Sequence, residues 1–346
     1  MLGSDRKEIL SRLFPTGIPE LWCPLLTHYT DSGEPDAARM AAHLSHLSSW
    51  VKGYLIPGST GDGWQMTEEE VYALLEIAVA EVARVQGRML IGILKTTAAE
   101  ARASIEVAVK WLQTRVAEDK PSEIFVKSCV CGFTVCPPGG ETLGEEQIER
   151  ALETILETGF PTALYQLPQI TKNEITPGGL SRLAARFPNF ILFKDTSGKD
   201  CVALSNVPLP DVFMVRGAEG SYARWLKINR GPYDGFLLSS ANCFARELHE
   251  MRRLLSEGRH GEAEELSSRI DAVVQEVFGL VAPLTPGNVF ANANKAMDHF
   301  FAYGREAGKA ASPRLHGGTR IPEAILRQTG DVLLRSGFFP VKGYLE

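Results

Sequence analysis

The sequence predicts a (β/α)8 barrel, in the α/β class, followed by a C-terminal helical extension. Short apolar runs with strand character alternate with amphipathic stretches, and the pattern is helical only after residue 244. Strands that alternate with helices pair in parallel, and eight such units fit a closed TIM barrel better than an open sheet. The eight predicted strands cover residues 21–26, 54–56, 89–94, 124–130, 162–165, 190–193, 212–215 and 236–238.

Helices are predicted where apolar residues recur every three to four positions. Residues 1–14 favour a short leading helix, and 68–85 and 98–116 favour helices between strands. We expect a leading segment at 1–17, a barrel at 18–258 and a helical appendage at 259–346. The later predicted helices cover residues 245–256, 263–278, 288–303 and 322–335.

Composition excludes several classes of function. The chain has 346 residues, of which 44% are hydrophobic and 23% charged, and its net charge is −6. An acidic chain disfavours a nucleic-acid groove, and the sequence has no apolar stretch of the roughly 18 residues typical of a membrane span. The leading segment has no continuous apolar core of the kind found in signal peptides. These features predict a cytoplasmic protein that binds neither nucleic acid nor a membrane.

The cysteines and histidines do not have the spacing of a metal site. Cys129, Cys131 and Cys136 form a C-x-C-x4-C pattern without paired C-x-x-C spacing or nearby histidines. Reduced, structural thiols are expected. His28 follows the first predicted strand and could line the mouth of the barrel, but a surface or capping position is favoured. The sequence therefore predicts neither a metal nor an organic cofactor.

A lysine ends the sixth predicted strand. Four apolar residues, 190–193, precede Lys194, and a polar turn follows. Burying an ammonium is costly, so burial favours the neutral amine, which can attack a ketone and form a Schiff base. Tyr165 ends the strand before it, and the two residues form a candidate catalytic pair. The alternative is a lysine that only marks where a strand meets water.

A glycine-rich loop, residues 57–63, follows the second predicted strand. Its glycines allow a tight turn that brings N–H groups close to a ligand, and Ser59 and Thr60 add hydroxyls. Thr67 and Glu70 have the spacing of a capping box for the next helix. The loop suits a carboxylate or another small anion, and the alternative is a plain capped connection.

These motifs together resemble a known family. A Gly-Ser-Thr-Gly-acid loop, a strand ending in Tyr-x-x-Pro and a strand ending in Lys before a Thr-Ser-Gly turn occur in that order. Further matches are Gly217-Ala218-Glu219 and the segment 235–242. Over residues 18 to 300 the chain resembles the dihydrodipicolinate synthase and N-acetylneuraminate lyase superfamily of class I, Schiff-base aldolases.

The resemblance implies roles for individual residues. Lys194 matches the Schiff-base lysine and Tyr165 the tyrosine that relays protons. Ser59 and Thr60 match the pair that holds the carboxylate of a 2-oxo acid, and Thr60 is also implied to link to the tyrosine. The remaining residues of the expected substrate-binding set are Gly58, Thr196, Gly217, Glu219 and Ser239.

Three departures bear on specificity. Ile170 stands where dihydrodipicolinate synthases carry an arginine that engages a dicarboxylate. Those enzymes also place a pair of tyrosines after the fourth strand, whereas residues 128–133 contain none. Asp62 replaces the usual glutamate of the first loop. A lysine-biosynthetic synthase is therefore not expected.

The sequence thus predicts a Schiff-base lyase that cleaves a 2-oxo acid to pyruvate and an aldehyde and assembles as a dimer or tetramer. The alternatives are a 2-keto-3-deoxy acid dehydratase that uses the same lysine and a non-catalytic ligand-binding relative. Lys95 and Lys127 are weaker candidates for the nucleophile, because neither has a tyrosine in register one strand earlier.

Overall fold

Eight parallel strands close into one barrel in chain order, as predicted. The computed structural model describes Gly3 and residues 5–118, 120–285 and 287–346. The first residues of the predicted leading helix, 1, 2 and 4, lie outside this set. The strands are β1 Leu21–Cys23, β2 Gly53–Ile56, β3 Arg88–Ile93, β4 Val130–Val135, β5 Thr162–Gln166, β6 Phe190–Asp195, β7 Phe213–Arg216 and β8 Gly235–Leu237.

Helices flank the strands and continue after the last one, which confirms the predicted C-terminal helical region. Two short 3₁₀ helices, Lys227–Asn229 and Gly304–Lys309, supplement them. Across the described ranges, no helix is both long and apolar enough to cross a bilayer. The predicted domain boundaries stay a prediction. The α-helices are α1 Arg6–Leu13, α2 Ala37–Leu47, α3 Glu68–Arg84, α4 Ala98–Val116, α5 Pro121–Lys127, α6 Glu145–Leu156, α7 Pro168–Thr171, α8 Pro177–Arg186, α9 Tyr222–Trp225, α10 Ala241–Ser256, α11 His260–Val281, α12 Val289–Tyr303 and α13 Glu323–Arg335.

One predicted strand, 124–130, is wrong. Most of this run forms the end of α5, and β4 begins only at Val130. A short apolar run fits a buried helix as well as a strand, and a proline at position 121 favours the start of a helix. The correction places Lys127 on a helix surface, where it pairs with Glu118 and its side chain is exposed.

The chain divides into two compact units. The first contains residues 1–20, 88–218 and 232–237, with strands β3 to β8. Its strands pair in register, so that Tyr165 lies opposite Lys194 and Asp195 lies opposite Arg216. Because register fixes which side chains are neighbours, it places the predicted catalytic pair side by side at the carboxyl ends of β5 and β6.

The second unit contains residues 21–87, 219–231 and 238–346, with β1, β2 and the C-terminal helices. Trp22 pairs with Gly53, and a Cβ at position 53 would lie 2.2 Å from the Trp22 ring. Only glycine fits against this indole. Thr67 and Glu70 form the predicted capping box, each accepting the backbone N–H of the other, at the start of α3.

A buried arginine ties α1 to the rest of the first unit. The Arg6 guanidinium donates to four backbone carbonyls, and its Nε lies 2.6 Å from one of them. Hydrogen bonds from a charged donor are stronger than neutral ones, and their loss would leave buried carbonyls without partners. The four acceptors belong to Ala184, Phe187, Phe190 and Pro210.

Arg6→Met should lower the free energy of unfolding by about 3 kcal/mol, because the charge-assisted bonds to these carbonyls are lost. Urea titration followed by circular dichroism measures the change. Lys7→Met on the same helix is the matched control. The Lys7 side chain is largely exposed, so its replacement should change stability by less than about 0.5 kcal/mol. Equal stabilities of the two variants would contradict the anchoring role of Arg6.

Candidate active site

Lys194 is the penultimate residue of β6, and the apolar residues before it are all buried. The β5–β6 register sets it beside Tyr165, and the β6–β7 register sets it opposite Val215. The lysine side chain is 4% exposed and the tyrosine 2%. Lys194 is therefore a buried strand residue, and the alternative of a lysine at the water boundary is wrong.

The lysine amine lies against the face of the tyrosine. Lys194 Nζ is 3.9 Å from the centroid of the Tyr165 ring. The negative face of an aromatic ring attracts an ammonium, which offsets part of the cost of burying it. The structure thus brings together the two residues that the sequence analysis paired.

Two further predicted residues lie beside this pair. A Cβ at Gly217 would fall 2.3 Å from Thr196 Oγ1 and 2.7 Å from Lys194 Cε, so a larger residue at 217 would collide with the lysine stem. The Thr196 hydroxyl is buried, and none of the described residues makes a hydrogen bond to it. It is available to a ligand.

A buried ionic network lies in the part of the chain that follows Lys194 and joins the loop after β6 to the end of β7. Arg216 Nε and Nη2 donate to the two oxygens of Asp200, at 2.9 and 3.0 Å. Tyr233 donates to Asp200 Oδ1 at 2.6 Å, and burial raises the pKa of its phenol. Burial also raises the pKa of the Asp195 carboxyl. The network was not predicted from the sequence, although Arg216, a charged residue at the end of a buried strand, was a usable signal.

The corrected position of β4 changes which residues follow the fourth strand. Because β4 ends at Val135, the residues that follow it are Cys136, two prolines and Gly139, and these too include no tyrosine. Burial raises the pKa of the Cys136 thiol to about 12, although the positive charge of Lys194 opposes the shift. The thiol is therefore protonated at neutral pH. All six cysteines are free.

The glycine-rich loop belongs to the second unit. Ser59 and Thr60 are both buried, and Ser59 Oγ accepts a hydrogen bond from Trp64 Nε1 at 2.9 Å. A Cβ at Gly61 would lie 2.6 Å from the Leu25 carbonyl oxygen, so the tight packing of the loop requires glycine there. The two hydroxyls predicted to bind a carboxylate thus come from one rigid turn that also contains Gly58.

Asp62 connects this loop to the C-terminal helices. Its Oδ2 accepts from Lys295 Nζ at 2.5 Å and from the Tyr29 hydroxyl at 3.0 Å, and both members of the ion pair are 1% exposed. Asn288 Nδ2 also donates to the Ser59 carbonyl at 2.8 Å. The sequence analysis did not find Lys295 or Asn288, because both lie more than 200 residues from their partners.

Glu219 and Ser239, two predicted substrate contacts, bind each other. Ser239 Oγ donates to Glu219 Oε1 at 2.6 Å. Oε1 also accepts from the Ser240 backbone N–H, and Oε2 accepts from the Ser240 and Tyr222 hydroxyls. A carboxylate with four donors is a fixed acceptor centre, so Glu219 orients the serines around it.

Comparisons with known proteins agree with these features. The model of the Dihydrodipicolinate synthetase family matches residues 126–286. The 4-hydroxy-tetrahydrodipicolinate synthase of Bacillus subtilis (strain 168) is 23% identical over 257 residues, which cover 73% of this chain and 82% of that protein. The synthase of the same name from Persephonella marina is 26% identical over 239 residues, or 67% of this chain and 73% of that protein.

Solved structures share the fold. YagE, a prophage protein of the dihydrodipicolinic acid synthase family from E. coli K12 in complex with pyruvate, superposes with a TM-score of 0.70 and 20% identity. The match covers 93% of this chain and 99% of that one. A double variant of Sulfolobus solfataricus 2-keto-3-deoxygluconate aldolase gives 0.71 and 16% identity, with coverage of 92% and 96%. The family match, the relatives and the shared barrel all support the resemblance of this chain to enzymes of the dihydrodipicolinate synthase and N-acetylneuraminate lyase superfamily of lyases.

Proposed function

We propose that the enzyme is a Schiff-base lyase that cleaves a hydroxylated 2-oxo acid to pyruvate and an aldehyde. The observation that carries the proposal is the buried contact between Lys194 Nζ and the Tyr165 ring, at 3.9 Å, on strands paired in register. A nucleophilic amine beside an acid–base group is the arrangement that imine chemistry requires.

The reaction begins with attack of the neutral Lys194 amine on the C2 carbonyl of the substrate. Proton transfers convert the carbonyl oxygen into water, which leaves, and a protonated imine joins Lys194 to C2. The positive nitrogen is an electron sink for a bond two atoms away. The C3–C4 bond can therefore break with its electron pair moving toward the imine.

Tyr165 is proposed to move the protons. Its phenolate takes the proton of the C4 hydroxyl as the C3–C4 bond breaks, so that C4 leaves as an aldehyde and C3 becomes the carbon of an enamine. The enamine takes up a proton at C3, and water hydrolyses the imine to release pyruvate and the free lysine. Thr60 is proposed to link to this tyrosine, as the resemblance implies.

Several other residues are proposed to bind the substrate. Ser59 and Thr60, with the backbone at Gly58, would hold the carboxylate of the substrate. Two buried hydroxyls on one turn can both donate hydrogen bonds to a carboxylate. Thr196 would bind a substrate oxygen through its buried hydroxyl, beside the space that Gly217 leaves open. Ser239, oriented by Glu219, would contact the hydroxylated end.

Two observations support the proposed substrate class: the apolar side chain at position 170 and the names of the structural neighbours. Ile170 is 42% exposed and cannot pair with a second carboxylate, which disfavours a dicarboxylic aldehyde. One structural neighbour binds pyruvate and another is named for 2-keto-3-deoxygluconate. A sugar-derived 2-keto acid with a single carboxylate is therefore proposed. Free thiols suit the proposed cytoplasmic location, and a homo-oligomer is expected.

Borohydride reduction in the presence of pyruvate should add one reduced pyruvyl group to the chain, because the reduced imine is stable. Peptide mapping by mass spectrometry should place it at Lys194. Lys194→Ala should abolish the adduct, whereas the control Lys127→Ala, on an exposed lysine, should keep it. An adduct at Lys95 or Lys127 would contradict the assignment of the nucleophile.

Tyr165→Phe should keep the fold and the lysine–ring contact, yet slow cleavage by roughly 10²–10⁴-fold, the loss typical of a positioned acid–base group. Turnover is followed by pyruvate release from a panel of 2-keto-3-deoxy sugar acids. Product analysis in the same assay separates aldol cleavage from dehydration, which would release water and no pyruvate. A phenylalanine variant as active as the parent would assign the proton transfer to another group.

The enzyme should show little condensation of pyruvate with aspartate semialdehyde, because Ile170 leaves the second carboxylate without a cationic partner. The assay couples that condensation to its downstream reductase at saturating substrates. Turnover near the roughly 10 s⁻¹ that is typical of enzymes would show that the chain is a synthase after all.

A further inference from the structure

Two histidines and an aspartate that are distant in sequence meet in the second unit. His28 lies in the loop between β1 and α2, His43 on α2 and Asp298 on α12. His28 Nε2 is 3.1 Å from His43 Nδ1 and 3.7 Å from Asp298 Oδ2, and the possible ligand atoms all lie within 4.8 Å of one another. None of these side chains takes part in the Schiff-base chemistry proposed above.

The tautomer of His43 can be assigned from its surroundings. His43 Nε2 lies 2.9 Å from the Asn242 carbonyl oxygen, which can only accept. Nε2 therefore carries the proton, and Nδ1 directs its lone pair toward His28. This arrangement, with one ring nitrogen bonded to a backbone carbonyl and the other available, is usual for a histidine that ligates a metal.

The spacing of the two ring nitrogens also fits a shared ion. Two imidazole nitrogens bound to one tetrahedral zinc at ~2.0–2.1 Å lie about 3.3 Å apart. The observed 3.1 Å separation is close to this value. Because a tetrahedral ion lies off the line that joins the two nitrogens, replacing the proton between the rings by an ion would turn each ring by about 35° with little change in the distance between the nitrogens.

The carboxylate is held in place by outer groups. Asp298 accepts from the Tyr344 hydroxyl at 2.9 Å and from Arg39 Nη2 at 2.6 Å. Such hydrogen bonds orient a ligating carboxylate. Arg39 also competes with a metal ion for the negative charge of Asp298. Lys295 is a second cation nearby, but its charge is neutralised by Asp62. The site therefore depends mainly on its neutral nitrogen donors.

Access is provided by a cavity of about 370 Å³ lined by His28, Asp298, Arg39 and Tyr303, among others. It has room for water molecules that would complete the coordination of an ion. Imidazole nitrogens suit zinc, copper and nickel, whereas calcium and magnesium require more oxygen ligands than this cluster offers.

We propose that His28, His43 and Asp298 bind one divalent transition-metal ion of the zinc class and thereby connect the β1–α2 loop, α2 and α12. The two outer cations weaken binding, so the expected affinity is in the micromolar range. The role is structural, because the ion joins three elements and the proposed chemistry does not use it.

The test is zinc titration of the full chain by calorimetry after dialysis against a chelator. The parent should bind one equivalent, and bound zinc should raise its unfolding temperature. His28→Gln should weaken binding at least about tenfold. The matched control is His249→Gln, which changes an exposed histidine on α10 and should bind as the parent does. Absence of zinc binding to the parent, or equal binding by His28→Gln, would overturn the proposal.

Cobalt provides a second measurement that does not depend on how well a variant folds. The parent loaded with Co²⁺ should show visible d–d absorption typical of nitrogen and oxygen ligands. A strong thiolate-to-cobalt charge-transfer band would instead place the ion at a cysteine and overturn the assignment.

Discussion

The cost of burying one ammonium at the end of β6 is the constraint on which the site depends. Lys194 has almost no exposure to water, so neighbouring protein groups must supply the electrostatic stabilisation that water would give its ammonium. The ring of Tyr165 offers a negative face to the amine, and the absence of a side chain at Gly217 leaves room for the lysine stem. Asp200 and Arg216 form a buried ion pair that neutralises both charges and ties the loop after β6 to the end of β7.

One of the C-terminal helices, α12, is bonded to the glycine-rich loop that carries Ser59 and Thr60. α12 reaches the glycine-rich loop twice, through Lys295 to Asp62 and through Asn288 to the Ser59 carbonyl. A buried ion pair is costly to break once one partner is removed, so the loop and the helix are coupled in stability. The rigidity of the turn that carries Ser59 and Thr60 therefore depends on residues more than 200 positions later in the chain.

Periodicity and motif order were sufficient to predict the barrel, the C-terminal helices and the pairing of Lys194 with Tyr165. The fourth strand was misplaced because a short, mainly apolar run such as 124–130 fits a buried helix as well as a strand. Lys295 and Asp298 were missed for a different reason. Each bonds to a residue more than 200 positions away in the sequence, and only the course of the later helices brings the partners together.

The anchoring of α1 has a consequence for how the chain is made. Arg6 emerges from the ribosome early, yet its four carbonyl acceptors lie between residues 184 and 210. Until the chain has been synthesised through Pro210, Arg6 therefore lacks some of the carbonyls that hold α1 in place. α1 can contact α5 earlier, through Arg12 and Glu123, but its buried guanidinium finds its full set of acceptors only in the later part of the barrel.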